Sequence, residues 1–361
     1  MTDHLERYRA AADACDTHVF WHPQRSPAEV LAALAESAAS HDLAWDRYGE
    51  HGPVEQLETE LAALFGTEAA AFFPSGTMAQ QCVLRAWCDR AGTLRVAVPD
   101  LSHLLVHEAG GPALLHGFRF EHLTTGRRTP DAEALAAIPG RLAAVMVELP
   151  LRDAGCVLPA WDDLVVLSAA SRERGAAFHV DGARIWESQP FYDRSYAEIA
   201  ALADTMYVSF YKGLGGIAGA ALVGPADVLA EARVWRSRMG GTLFHATAEA
   251  VSALVGLREE LPHLAAHLAW ARALAVELPT HGITPNPAPP HIATFEVFAA
   301  GDVDEVNERL LALMEREKLQ LSGLWRTAAE PGRVTTELMC AGSSRAHDPA
   351  RVAALLGEVV G

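Results

Sequence analysis

The sequence predicts an α/β fold: a mostly parallel sheet between helices, followed by a small α+β domain at the C-terminus. Three observations predict it. Strand-prone segments are short, continuous apolar runs with little alternation, the pattern of strands covered on both faces. These runs alternate with helix-prone segments, which implies parallel pairing through helical crossovers. Polar and glycine-rich turns follow the strands at their carboxyl ends, where ligands of such sheets bind.

Taken in order, residues 1–28 read as irregular with one short helix near the start. Ser26-Pro27-Ala28-Glu29 opens a helix expected to reach about Ser40, with a capping serine, a proline at the first helical position and an acid near the positive end. Trp45–Pro53 is a loop rich in functional groups. Val54–Phe65 is amphipathic, with Leu57, Leu61 and Leu64 on one face, and stops at Gly66. Ala69–Phe73 reads as a strand, and a helix over Met78–Arg90 starts after Pro74-Ser75-Gly76-Thr77. Further strands are expected at Arg95–Pro99, Ala143–Leu149, Ala176–Val180, Thr205–Tyr211 and Ala218–Val223. Helices are expected at His103–Ala109, Asp131–Ala137, Trp161–Arg174, Tyr196–Ala203 and Pro225–Arg238. A long helical segment over 243–278 breaks near Pro262. The proline run from Pro285 to Pro290 excludes helix and central strand and reads as a linker. Beyond it, Ile292–Phe298, Asp302–Lys318, Arg333–Cys340 and Pro349–Val360 give a β-α-β-α pattern. The expected division is an N-terminal segment 1–45, a large domain 46–284 and a small domain 285–361.

The chain has 361 residues, 50% of them hydrophobic, enough for one large core plus a smaller domain. Its formal charge of −17 argues against nucleic acid or an anionic membrane as the main partner. No apolar stretch approaches the ~18–20 residues of a membrane span. The polar N-terminal stretch has no signal-peptide core. Five scattered cysteines without C-x-x-C spacing read as reduced thiols, so a cytoplasmic protein is expected. No metal site is expected, since no H-E-x-x-H or zinc-type cysteine spacing occurs.

Candidate chemistry gathers at strand ends. The chain has two lysines. Lys318 lies in Glu315-Arg316-Glu317-Lys318, a solvated helix face; Lys212 lies among aromatics and glycines, where a permanent charge is costly unless paired. Such a lysine either snorkels to water or serves as an amine nucleophile. Ser75-Gly76-Thr77 at a helix start reads as an ordinary cap or as a phosphate cradle. Asp181, ending an apolar strand, reads as a helix cap or as the carboxylate that holds the protonated nitrogen of a pyridoxal ring. Arg184 would then grip a substrate carboxylate. His103 and His107, four apart, read as surface groups on a short helix or as an aromatic lid able to transfer protons.

In order and spacing, several stretches form one pattern: Tyr48-Gly49-Glu50, Phe73–Met78, Ser102-His103 with Glu108 and Gly110-Gly111, Asp181–Arg184, Lys212–Gly215 and Met239-Gly240-Gly241. Together they resemble the threonine aldolase / β-eliminating lyase family, fold-type I enzymes that use pyridoxal 5′-phosphate (PLP). The resemblance covers about Trp45 to Ala250 well and the C-terminal part loosely. It implies the PLP-dependent transferase fold, with a seven-stranded type of sheet. By resemblance Lys212 is the Schiff-base lysine, Asp181 the ring-nitrogen partner and His103 the ring-stacking histidine. Ser75, Gly76 and Thr77 correspond to the phosphate loop, and Arg184 and Arg333 to the carboxylate-binding arginines. Trp21, His22, His51 and Tyr211 are the expected further substrate contacts. The resemblance also implies a homodimer or homotetramer with shared active sites, Tyr48–His51 or Phe244-His245 reaching a neighbour's site.

The departures fall where substrate is expected. His18–Pro23 stands in place of the family's Arg-Ser-Asp-Thr stretch, His51-Gly52 in place of Asp-Pro, and Tyr211 in place of a small serine. Arg152-Asp153 appears where the family has an amide, a hydroxyl and a histidine. The Gly-Gly-Gly-Met-Arg-Gln type of stretch becomes Gly240–His245. The expectation is therefore a PLP-dependent aldolase that splits a β-hydroxy-α-amino acid, with an aromatic, rebuilt pocket (Trp21, His22, Tyr211, Phe244) suited to a larger or more polar β-substituent. Base candidates are His103, His107, His51 and His22, with His103 favoured. The alternatives are β-elimination or other amino-acid chemistry on PLP (transaldolase, racemase, aminotransferase), and a non-catalytic binding protein on the same fold.

Overall fold

A computed structural model describes residues 2–22, 25–41 and 43–361. Its contacts form two units, Arg25–Pro262 and Met1–Gln24 together with His263–Gly361.

The larger unit is built on a seven-stranded sheet. In chain order the strands are β1 (Ala69–Phe73), β2 (Arg95–Pro99), β3 (Arg119–Thr124), β4 (Ala144–Glu148), β5 (Ala177–Gly182), β6 (Thr205–Ser209) and β7 (Ala220–Gly224). In space they run β1-β7-β6-β5-β4-β2-β3. The pairings from β3 through β6 are parallel, and β7 is antiparallel to both neighbours. β4, β5 and β6 are buried at every position, which is why they read as continuous apolar runs. The helix Gly76–Ala91 packs on β6 and β7. Its Ala79, Cys82, Val83 and Ala86 share a core cluster with Tyr207 and Leu222. Its Leu84 and Cys88 join Val96, Val98 and Met146 in a second cluster.

In and around the seven-stranded sheet, β3, two short helices and the end of one strand depart from the sequence expectation. β3 is missing from it, because Arg119-Phe120-Glu121-His122 is a half-exposed edge segment with no continuous apolar run. Two short helices are missing too: Gly111–His116 opens on Gly-Gly-Pro, and Ile185–Tyr192 contains Pro190, which argues against a helix. The strand expected over Thr205–Tyr211 ends at Ser209. Gly215 N–H donates to the Lys212 carbonyl at 3.0 Å and Gly216 N–H to the Phe210 carbonyl at 2.8 Å, closing a turn that carries Tyr211 and Lys212 off the sheet.

The smaller unit has a four-stranded antiparallel sheet, ordered Arg326–Thr327, Arg333–Met339, Thr294–Ala300 and Thr284–Asn286. Helices Thr2–Asp13, Leu264–Glu277, Val303–Glu317 and Pro349–Val360 belong to the same unit. The contact division at Pro262/His263 differs from one at the proline run. Pro285 itself sits in the outer strand, where a residue without an N–H is tolerated.

Candidate active site

Glu148 on β4 pairs in register with Asp181 on β5, and Asp181 with Tyr207 on β6. Register partners project from the same face of a sheet, so these three side chains form a row near the carboxyl ends of the parallel strands. A cleft with an empty volume of about 490 Å³ opens there, and all its lining residues lie in the larger unit. Of the expected site residues, Gly76, Thr77, His103, Asp181, Arg184, Tyr211 and Lys212 line it.

The start of the helix Gly76–Ala91 supplies one wall. Ser75 caps it, its Oγ accepting the Met78 N–H at 3.3 Å, and no acid lies in the first turn. Unpaired backbone N–H groups and the helix dipole make this end receptive to an anion. A Cβ on Gly76 would come within 1.9 Å of the Tyr207 Oη, so glycine is what lets the tyrosine reach the helix start.

Lys212 and Asp181 face each other electrostatically. Burial pushes the lysine's pKa down, while Asp181 opposes that shift and Arg184 adds to it. Burial pushes Asp181 up, opposed first by Lys212. Each charge restores part of what burial removes from the other.

His103 is pinned from three directions. Its backbone N–H donates to Glu148 Oε1 at 2.6 Å, its Nδ1 lies 3.3 Å from Glu108 Oε1, and its ring centre is 5.1 Å from that of His107. His107 Nε2 in turn lies 2.6 Å from Asp153 Oδ2, whose other oxygen accepts from Arg152 at 3.3 Å. Arg184 is buried, and its Nη1 donates to Glu187 Oε1 at 2.8 Å, which fixes the guanidinium.

Other expected residues are not among those that line the cleft. His51 is exposed at the head of the helix Gly52–Phe65, its Nδ1 3.4 Å from Glu55 Oε2. Phe244, expected to make the pocket aromatic, instead packs on Tyr48 with ring centres 5.2 Å apart, and both are exposed. Trp21, His22 and Arg333 belong to the smaller unit. There Trp21 N–H donates to the Met339 carbonyl at 2.8 Å, His18 Nε2 lies 3.0 Å from the His22 carbonyl, and Arg333 donates to Thr284 Oγ1 at 3.3 Å.

Glu108 and Arg152, singled out in the sequence by the family pattern and its departures, line the cleft too, and it holds three groups that sequence reasoning missed: Gln80, Glu148 and Tyr207. Burial, reinforced by Asp181, pushes Glu148 up to about 8 against the bond from His103 N–H. The signal for Glu148 was present, since it is the lone acid ending an apolar strand, as Asp181 is. For Gln80 there was none, because one glutamine in a helix reads as solvated surface.

A helix start free of acids, a strand-end carboxylate, a half-buried lysine and an imidazole suit a ligand with an anionic head, a basic ring nitrogen and an amine-reactive carbonyl. Among the described residues, no group of three His, Cys, Asp or Glu side chains could hold a metal ion. No helix among them is long and apolar enough to cross a membrane.

Comparison with known proteins gives concordant matches. The family model described as β-eliminating lyase matches residues 26–300. A crystal structure of a provisionally assigned L-allo-threonine aldolase from Listeria monocytogenes superposes with a TM-score of 0.91 at 32% identity, covering 99% of each chain. The low specificity L-threonine aldolase of Escherichia coli K12 is 30% identical over 244 residues, 64% of this chain and 71% of its own. Low-specificity L-threonine aldolase 1 of Arabidopsis thaliana is 27% identical over 315 residues, 84% of this chain and 86% of its own.

Proposed function

The chain belongs to the β-eliminating lyase family, and from that membership we propose that it is a PLP-dependent lyase of threonine-aldolase type. It cleaves the Cα–Cβ bond of a β-hydroxy-α-amino acid to glycine and an aldehyde. The observation that carries this reading is the opening of Lys212, Asp181 and the start of the helix Gly76–Ala91 into one cleft.

PLP, when bound, supplies a carbonyl that captures amines and a protonated ring that takes up the electron pair released at Cα. Gly76 and Thr77, on the turn that Ser75 caps, would hold its phosphate. Asp181 would keep the proton on its ring nitrogen, Lys212 would be the amine that holds its carbonyl between turnovers, and His103 would lie against its ring. Arg184, fixed by Glu187, would grip the substrate carboxylate and so select which Cα bond is presented for cleavage. His103, with Nδ1 turned to Glu108, would take the β-hydroxyl proton on Nε2.

The finer features rest on narrower support. Tyr211 and Arg152 line the cleft, which favours a β-substituent larger or more polar than a methyl group. Trp21, His22, His51 and Arg333 are proposed substrate contacts by family resemblance alone. A homodimer or homotetramer in the cytoplasm completes the reading. Trp45, Tyr48 and Phe244 form an exposed aromatic group suited to a second copy, and no disulfide occurs among the described residues.

The test is incubation with PLP and a panel of β-hydroxy amino acids, measuring aldehyde and glycine. Equal release of both is expected. No aldehyde from any substrate, despite bound PLP, would overturn the proposal. Release of a 2-oxo acid with ammonia would move it to β-elimination.

A further inference from the structure

Beneath the cleft runs a chain of hydrogen bonds that the proposed reaction does not use. Trp87 Nε1–H donates to Thr205 Oγ1 at 3.0 Å, and Thr205 Oγ1 lies 2.9 Å from His179 Nδ1. His179 Nε2 lies 2.6 Å from Gln80 Oε1, and Gln80 Nε2 donates to Asp181 Oδ2 at 2.5 Å. Gln80, His179, Asp181 and Thr205 are all buried.

The chain follows from element periodicities. Gln80 and Trp87 are two turns apart and share one face of their helix. His179 and Asp181 are alternate residues of β5 and share one face of the sheet, and His179 is the register partner of Thr205. The helix face therefore lies along the strand row.

Its polarity is set from the carboxylate end. An ionised Asp181 can only accept, so Gln80 donates its N–H there and its Oε1 accepts from His179 Nε2–H. In a neutral ring Nδ1 is then the acceptor, and the Thr205 hydroxyl donates to it while accepting from the Trp87 indole N–H, which can only donate. Burial pushes His179 down to about 3, which leaves the ring neutral, as a link that donates at one nitrogen and accepts at the other must be. Bonds aligned in one direction strengthen one another.

We propose that Gln80 and His179 are positioning residues: the one-way chain from Trp87 presents an N–H to Asp181 that keeps this carboxyl ionised for the ring nitrogen of PLP. The proposal rests on reading the cleft as a PLP site. It accounts for how Asp181 keeps its charge where burial favours the protonated form. Lys212 first and then the Ala183 N–H, which reaches Oδ1 at 2.9 Å, act against that burial, and the glutamine N–H adds a donor on Oδ2.

The experiment has two arms. Nitrogen-15 NMR of the cofactor-free protein reads the tautomer of His179; a neutral ring protonated on Nε2 is expected, and an Nδ1–H or charged ring overturns the chain. The second arm compares wild type and Gln80→Leu for binding PLP and its 1-deaza analogue, which lacks the ring nitrogen. The variant should bind PLP about tenfold more weakly, with no loss toward the analogue. Equal losses for both compounds mean that Gln80 only fills space, and overturn the proposal. If Gln80→Leu does not fold, Trp87→Phe makes the same comparison with a smaller loss expected. Wild type that binds neither compound overturns the PLP reading, and this proposal with it, whereas the NMR arm still reports the polarity of the chain alone.

Discussion

Glu148 and Asp181 are register partners on adjacent parallel strands, so two buried carboxyls stand side by side in the cleft. They are not equivalent. Asp181 receives N–H donors from Gln80 and Ala183 and has Lys212 as its first opposing charge. Glu148 receives one backbone N–H, from His103, and is pushed up to about 8.

That difference predicts a pH dependence of stability. Glu148 has a higher pKa folded than its ordinary value, so the folded chain keeps a proton that the unfolded chain loses. Its contribution is present below about pH 4.5, falls as pH rises and levels off above about 8. Glu148→Gln keeps the acceptor for His103 N–H and removes the titration. The cofactor-free variant should melt with wild type at pH 5 and a few degrees above it at pH 9, as scanning calorimetry would show. A variant melting below wild type at pH 9 would refute this.

Gly76→Ala should weaken PLP binding at least about tenfold and lower stability by about 1–3 kcal/mol. The cause is the added methyl, which meets the Tyr207 Oη and displaces either the tyrosine or the helix start. Titration with PLP, alongside a melting curve, checks both effects.

His103→Phe keeps an aromatic ring beside the cofactor and removes the imidazole nitrogens. PLP affinity should stay within about twofold, while kcat falls by about 10²–10⁴. Unchanged kcat would shift the base to another group.

Arg184→Lys keeps a cation next to Glu187 and loses the forked donor geometry. KM for the amino acid should rise about 10–100-fold with PLP affinity unchanged. Steady-state kinetics paired with a PLP titration separates the two.

Much of the sheet was legible in the sequence, because β4, β5 and β6 are buried on both faces and leave unbroken apolar runs. β3 escaped because its Arg119-Phe120-Glu121-His122 stretch is half-exposed and mixed in polarity, whereas β1, at the opposite edge, keeps an apolar run. In the site, Lys212 and Asp181 stood out as a charged group in an apolar or glycine-rich setting. Glu148 and Gln80 gain their meaning from register and helix face. Those are relations between segments, which no single stretch displays. His51 shows the converse: it sits in a motif-like loop, yet its side chain is exposed at the head of an amphipathic helix and turns to Glu55.

Lys212 offers the most direct test of the whole account. The protein is incubated with PLP, reduced with borohydride, digested and mapped by mass spectrometry. With Lys212 and Lys318 as its two lysines, the attachment point can be read without ambiguity. The account predicts one pyridoxyl phosphate group on the peptide carrying Lys212, none on Lys318, and none in Lys212→Ala. A label on Lys318 with Lys212 left unmodified would contradict it.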